Sequence, residues 1–318
     1  MPSINSLKTQ LRWLSLQEKL WRLLPGDSIW KQRFTIKNKL KGTQLKSLLQ
    51  EKLIHNLFGS KVSGIVFNTY NGLMVSSIKD VQVNCELGKG SFNKNEVEVL
   101  KSFIPAESCL YVIGTHIGTL LIPIGKDVRK VVGFEANPVT FELLLNNVNI
   151  NGLKNSQVFN YAISDKQASL TFYRNTANSG GSKIKPLHDD FIYNYDNPES
   201  IKVDGDSLDA LITRFNLEAP ECIIMDIEGA EYFALQGAQK CLTTVKLLYI
   251  EFVPHHLDKV AGVKINDFIN VIKPHFNSMK IMQEVIDGNE KLYTGEEIGS
   301  VMNSLYEQHK SADLLFFK

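Results

Sequence analysis

The chain has 318 residues, 43% of them hydrophobic and 22% charged, with a formal net charge of +1. That is ordinary composition for a soluble globular protein able to bury a full core, and with no run of 18 apolar residues it excludes a membrane-spanning helix. The near-neutral total hides an asymmetry: residues 1–61 carry 12 Lys+Arg against 3 Asp+Glu, whereas residues 62–318 carry 23 against 31.

Taken in order, Leu7, Leu11, Leu14, Trp21 and Leu24 recur at near-helical spacing and predict a helix over 7–24, broken by Pro25-Gly26. A second helix runs through Leu45, Leu48, Leu49, Leu53, Leu57 and Phe58 and stops at Gly59. Charges interrupt this N-terminal stretch (Lys8, Arg12, Glu18, Lys19, Arg22), so it does not read as a secretory signal. From Val62 to about Val83 the pattern is strand-like, with a hairpin turn at Asn71-Gly72. A short helix over 94–103 follows. From Cys109 onward strands alternate with helices: strands at 109–113, 131–135, 157–161, 221–226 and 247–252, helices near 117–125, 138–150, 205–216, 229–243 and 265–274. This punctuation predicts a mostly parallel sheet covered on both faces. Leu314-Leu315-Phe316-Phe317 adds a late strand, and residues 175–205 read as a loop or lid. The expected organisation is a basic helical extension (1–61), a hairpin lead-in (62–105) and an α/β, Rossmann-like core (106–318). Cys85, Cys109, Cys222 and Cys241 match no metal spacing and read as free thiols in a reducing cytoplasm.

Chemistry-bearing residues gather at strand ends. Gly114-Thr115-His116-Ile117-Gly118 follows the first core strand and opens a helix, where backbone N–H groups can meet a ligand. It lacks the third glycine of a dinucleotide fingerprint, which disfavours a nicotinamide oxidoreductase. Glu135 ends the next strand about 20 residues on, where a carboxylate can accept from a ribose diol, and Asn137-Pro138 starts a helix. Ile163-Ser164-Asp165 leaves the third strand, with Asp165 able to accept from an adenine amino group or serve as a turn residue. Asp226, Glu228 and Glu231 cluster after the fourth strand, a placement that suits a cationic ligand, proton acceptance or helix capping. Glu251, His255 and His256 end the fifth; a histidine there can act as a base, and a His-rich loop can bind metal, but no matching further ligands are legible and no metal is expected.

Together these segments resemble the FkbM-type methyltransferase family. The resemblance is carried by Gly114–Gly118, Phe134-Glu135-Ala136-Asn137-Pro138, Leu143–Asn147 with Asn151-Gly152-Leu153, Ala162–Asp165, Asn178-Ser179-Gly180, Val203–Leu211, Met225-Asp226-Ile227-Glu228-Gly229-Ala230-Glu231 and Ile250-Glu251. The acidic Asp-x-Glu-Gly-Ala-Glu segment is the most specific of them. The resemblance implies a class I methyltransferase domain using S-adenosyl-L-methionine (SAM), with Gly114, Thr115, His116 and Gly118 beside the methionine part, Glu135 on the ribose, Asn137, Ile163 and Asp165 around the nucleoside, and Asp226 near the methyl group. The family's usual Asp-Val-Gly-Ala-Asn-Ile-Gly is altered here: Val112 stands for the Asp and His116 for the Asn.

The expected activity is methyl transfer to an oxygen or nitrogen of a natural product, saccharide or peptide, with Asp226, Glu251 and His255, in that order, as the base. The rival is a non-catalytic SAM-binding partner subunit. The basic residues 1–61, with Trp13, Trp21 and Trp30, suit a helical cap or homodimer arm, docking of an acidic precursor peptide, or an anionic membrane surface. No nucleic-acid module is present, so a nucleic-acid partner is not expected.

Overall fold

The computed structural model describes residues 3–22, 29–188, 190–194 and 196–318, and only the backbone of residues 18, 20–22 and 29–40. Leu24, the Pro25-Gly26 break and the side chains of Trp21 and Trp30 therefore lie outside the described residues. Helices α1 (Ile4–Arg22) and α2 (Ile29–Phe58) precede a hairpin of β1 (Gly64–Thr69) and β2 (Gly72–Ser77). The strand pattern expected up to Val83 ends at Ser77, because Asp80 accepts from Val83 N (3.1 Å) and caps helix α3 (Val81–Gly88). The C-terminal half of α2 lies on this region: Ser47 Oγ donates to Lys79 O (2.5 Å) and Gln50 Nε2 to Ile78 O (2.7 Å). Helix α4 (Lys94–Phe103) leads into the core. No helix among the described residues is long and apolar enough to cross a membrane.

The core contains β3 (Cys109–Ile113), α5 (Leu121–Gly125), β4 (Lys130–Phe134), α6 (Pro138–Ile150) and β5 (Ser156–Phe159). A second sheet follows, built from β6 (Ala162–Ser164), β7 (Ala168–Arg174), β8 (Lys183–Ile184) and β9 (Glu199–Ser207) in the order β6-β9-β7-β8, with a short helix α7 (Phe191–Asn194) inserted. The expected loop over 175–205 is thus partly sheet: β9 pairs antiparallel with all of β7. Lys202, Asp204 and Asp206 do alternate with Ile201, Val203 and Gly205 as in a half-buried strand, but the run is short and lies in a polar insertion. The chain then returns through α8 (Leu208–Arg214), β10 (Cys222–Met225), α9 (Glu231–Gln236), β11 (Leu247–Phe252), a short turn α10 (Pro254–His256), α11 (Ile265–Ile272), β12 (Ser278–Ile281), α12 (Met282–Ile286), β13 (Tyr293–Thr294), α13 (Glu296–Glu307) and β14 (Ala312–Phe317).

The main sheet has the order β13-β12-β14-β11-β10-β3-β4-β5. Strands β5, β4, β3, β10 and β11 run parallel, and β14 closes antiparallel on β11. These strands read as continuous apolar runs because both faces are buried. Cys109, Tyr111 and Ile113 pack with Leu208, Leu211, Leu235 and Phe268 on one side. Leu110 and Val112 pack with Val97, Leu100, Leu121 and Leu144 on the other. The chain steps outward from β3 to β5 and then returns to β10, so the topological switch point lies between β3 and β10, where open α/β sheets bind ligands.

Asn147 on α6 and Asn151, which caps its C-terminus one turn later, fasten the hairpin to this core. Asn147 Oδ1 accepts from Val75 N (2.6 Å), while its amide donates to Val75 O (3.1 Å) and Ile117 O (2.9 Å). Asn151 accepts from Leu73 N (3.1 Å) and donates to Leu73 O (2.7 Å).

Candidate cofactor and acceptor site

At the switch point β3 and β10 end side by side, with Asp226 N donating to Ile113 O (3.0 Å). The next residue must be glycine. Gly114 has φ +83, and a Cβ there would sit 1.8 Å from the carbonyl oxygen of Asp226. Beyond it His116 is left-handed (φ 51), which turns its own N–H onto Glu135 Oε2 (2.8 Å). The other oxygen, Oε1, accepts from Asn137 N (2.9 Å). Asn137 caps α6 through Val139 N (3.1 Å). Glu135 is thus locked between two backbone N–H groups at the edge of β4, with lone pairs left over. Burial pushes its carboxyl up to about 7 despite those bonds.

A cavity of about 510 Å³ opens over this edge. Gly114, Thr115, His116, Glu135, Ile163, Asp226 and Glu228 line it, with apolar walls from Phe134, Ala162 and Phe172. Its roof is the 178–182 segment from the second sheet, and its mouth includes Gln82, Glu86, Phe92 and Asn93. The roof is tied down twice: Asp80 Oδ2 accepts from Ser179 N (3.0 Å), and His116 Nε2 meets Ser179 Oγ (2.6 Å). Burial lowers the His116 imidazole to about 4, so it stays neutral. Val112 points away from the cavity into the apolar cluster, whereas His116, the other altered motif position, bridges floor and roof.

The acidic turn closes the far side. Glu231 accepts from Ile227 N (3.0 Å) and Gly229 N (2.9 Å), so it holds the turn and the start of α9 rather than facing the cavity. Burial raises it to about 7. Glu228 is left-handed (φ 56) and pairs with Lys183 Nζ (3.2 Å). Burial raises Asp226 well above the usual carboxylate range, and Glu228 and Glu231 add to the shift. Glu251, on β11, is raised in the same way by burial and then by Asp226.

Of the residues singled out from the sequence, Gly114, Thr115, His116, Glu135, Ile163 and Asp226 line one cavity; Gly118 and Asn137 support it from its turn and helix cap. Asp165 does not line it: its carboxylate accepts from Ser164 Oγ (3.2 Å) and pairs with Lys166 (3.5 Å). Glu251 lies behind Asp226. His255 stacks on Tyr193 at 6.4 Å, outside the cavity. The roof and mouth residues carried no sequence signal as site residues, except for Asn178-Ser179-Gly180 within the family resemblance.

The FkbM methyltransferase domain, as a sequence family, matches residues 113–281, which is more than half of the chain and takes in every element of this site except the mouth. The chain belongs to the FkbM methyltransferase family. No curated protein matches it in sequence. Among solved structures it is similar to an FkbM methyltransferase from Methylobacillus flagellatus (13% identity, 97% of this chain and 58% of that one, TM-score 0.40). It is also similar to a precorrin-6y C5,15-methyltransferase from Geobacter metallireducens (8%, 71% and 88%, TM-score 0.38). A third is a tRNA (uracil-54, C5)-methyltransferase from Pyrococcus abyssi in complex with S-adenosyl-L-homocysteine (11%, 80% and 44%, TM-score 0.40). The FkbM chain spans only 58% of the length of its Methylobacillus counterpart.

The cofactor of FkbM methyltransferases is SAM, and the cavity fits it. Thr115 Oγ1 is buried on the floor without a hydrogen-bond partner, and Glu135 keeps acceptor capacity for hydroxyls. Phe134, Ile163 and Phe172 offer an apolar slot for a base, and Asp226 and Glu228 supply negative charge.

Proposed function

We propose that this FkbM chain transfers a methyl group from SAM to an oxygen or nitrogen of a natural product, saccharide or peptide. The observation that carries the reading is the convergence of the Gly114 turn, the doubly held Glu135 and Asp226 on one cavity at the switch point. The cofactor supplies a methyl group on a sulfonium; the chain's residues bind, orient and move a proton. Glu135 accepts ribose hydroxyls. The 178–182 roof excludes water, which strengthens the electrostatics beneath it. Most of the catalysis is then alignment of two bound reactants.

In this reading Asp226 takes the acceptor's proton, supported by its position on the cavity wall. Burial first and then the neighbouring acids hold its carboxyl well above the usual carboxylate range, and a cationic ligand in the cavity would draw it back toward the ionised form. Glu251 stands behind it as the next acceptor. An acceptor would enter past Gln82, Glu86 and Asn93, whose polar side chains suit a hydroxyl- or amide-bearing molecule. The basic N-terminal helices, with Trp13 exposed, suit self-association or docking of an acidic carrier of the acceptor.

The test is calorimetric titration with S-adenosylhomocysteine, with NAD as control, followed by acceptor screening with methyl-labelled SAM. Micromolar S-adenosylhomocysteine binding that Glu135→Ala abolishes, and turnover that Asp226→Asn abolishes while binding persists, are the expected results. NAD binding in preference would sink the reading.

A further inference from the structure

Beside Asp226 the fold gathers three ligand-type side chains, Glu228, Glu251 and His256. One carboxylate oxygen each of Glu228 and Glu251 and one ring nitrogen of His256 lie within 4.8 Å of one another. They come from three places: the left-handed turn after β10, the end of β11 and the turn that follows it. A tetrahedral ion with bonds of about 2.1 Å needs donors about 3.4 Å apart, so small side-chain rotations close the set. Two atoms of these same residues, Glu251 Oε2 and His256 Nδ1, are buried without any hydrogen-bond partner. His256 is only 8% exposed, so its unpartnered Nδ1 is shut away from solvent.

The surroundings favour a cation. Asp226, Glu231 and Asp313 are further carboxyls that act on Glu251, and a bound cation would draw all of them toward their ionised forms. Among the described residues the ammonium recorded at this group is Lys183, bound to Glu228 Oε2 and to Gly181 O (2.5 Å). Lys183 answers Glu228 and leaves Glu251 Oε2 buried without a donor, which is costly.

We propose that Glu228, Glu251 and His256 bind a divalent first-row cation of the Mn²⁺ or Zn²⁺ class at the acceptor end of the cavity. One imidazole and two carboxylates are a borderline donor set that suits these ions better than an all-oxygen cage would. Three protein ligands leave coordination positions open, and Glu228 also lines the cavity, so an oxygen of the acceptor can complete the shell. The inference goes beyond the methyl-transfer reading and is measured without cofactor or acceptor.

The experiment is titration of the chelator-stripped full chain with MnCl₂, following free Mn²⁺ by electron paramagnetic resonance. S-adenosylhomocysteine is titrated separately into the same preparations. Saturable binding of a single Mn²⁺ is expected, weakened at least about tenfold by Glu251→Gln and by His256→Ala. His275→Ala, whose ring meets Gln239 (3.0 Å) away from the site, should leave it unchanged. No saturable binding up to about 1 mM, or equal binding in the wild type and in Glu251→Gln, overturns the proposal. Glu251→Gln is isosteric, so it decides the matter alone if His256→Ala fails to fold. Loss of S-adenosylhomocysteine binding in the wild type would count against the methyl-transfer reading, while the Mn²⁺ curve separately decides the metal.

Discussion

Glu135, buried, and Glu251, half-buried, both sit at the carboxyl edge of the same sheet, and their surroundings are opposite. Each oxygen of Glu135 accepts a backbone N–H, from His116 and from Asn137. Glu251 has a buried oxygen with no donor and is crowded by Asp226, Glu228 and Glu231. The first carboxyl is held by its own neighbourhood in the chain and is ready for a neutral ligand rich in hydroxyls. The second is held by strands and turns distant in sequence, and it is poised for something cationic. On the proposed function the Glu135 side of the cavity is a pole for recognition, and Asp226, with Glu251 behind it, is a pole for charge.

The largest expected effect is at the recognition pole. Gly114→Ala drives a Cβ into the Asp226 carbonyl at a left-handed position, so S-adenosylhomocysteine binding should disappear and thermal unfolding show a loss of about 3 kcal/mol or more. Glu135→Gln removes the charge that hydroxyls would donate to, and calorimetry should give a roughly 10–100-fold weaker S-adenosylhomocysteine complex. Circular dichroism should show the fold retained.

The pH dependence separates the poles further. The Glu135 carboxyl is raised to about 7 in the free protein, and ribose hydroxyls favour its ionised form. Ligand affinity should therefore rise with pH, by up to about tenfold per unit below 7, and level off above it. Stability should move the other way. Glu96, Glu135 and Glu231 are each raised to about 7 from an ordinary 4.5, so their contribution is full below the ordinary value and is lost as pH rises through about 7. A melting temperature of the free protein that climbs between pH 5 and 8 would contradict this assignment.

At the charge pole Asp226→Asn removes one carboxyl from a crowded acidic group. It should abolish turnover yet stabilise the free protein by about 1 kcal/mol near neutral pH, measured by denaturant unfolding. The smallest effect is expected at His255, which sits outside the cavity: His255→Ala should change S-adenosylhomocysteine affinity less than about twofold.

Much of the recognition pole was legible in the sequence. Gly114 to Gly118, Glu135 and Asn137 lie within 24 consecutive residues, on a strand, a turn and a strand end whose apolar pattern and spacing mark them. The order of alternating strands and helices was legible for the same reason, since strands buried on both faces are continuous apolar runs. The second sheet was not. Its β9 carries a short strand-like alternation, but the pairing with β7 spans a long insertion, so only the paired backbone reveals the sheet. The assignment of Asp165 to the nucleoside also depended on which way a turn residue points, and the structure turns it toward Ser164 and Lys166.

By itself the sequence determined the strand–helix order, the glycine turn and the carboxylates that end β4 and β10, because each is a local choice of residue type at a local backbone geometry. Only the tertiary structure decided what those carboxylates face. It placed Ser179 on His116, Glu231 under its own turn rather than toward the cavity, and Glu228, Glu251 and His256 around one point. Such contacts join residues separated by tens of positions, and their directions follow from strand order and left-handed turns that no short window of sequence contains.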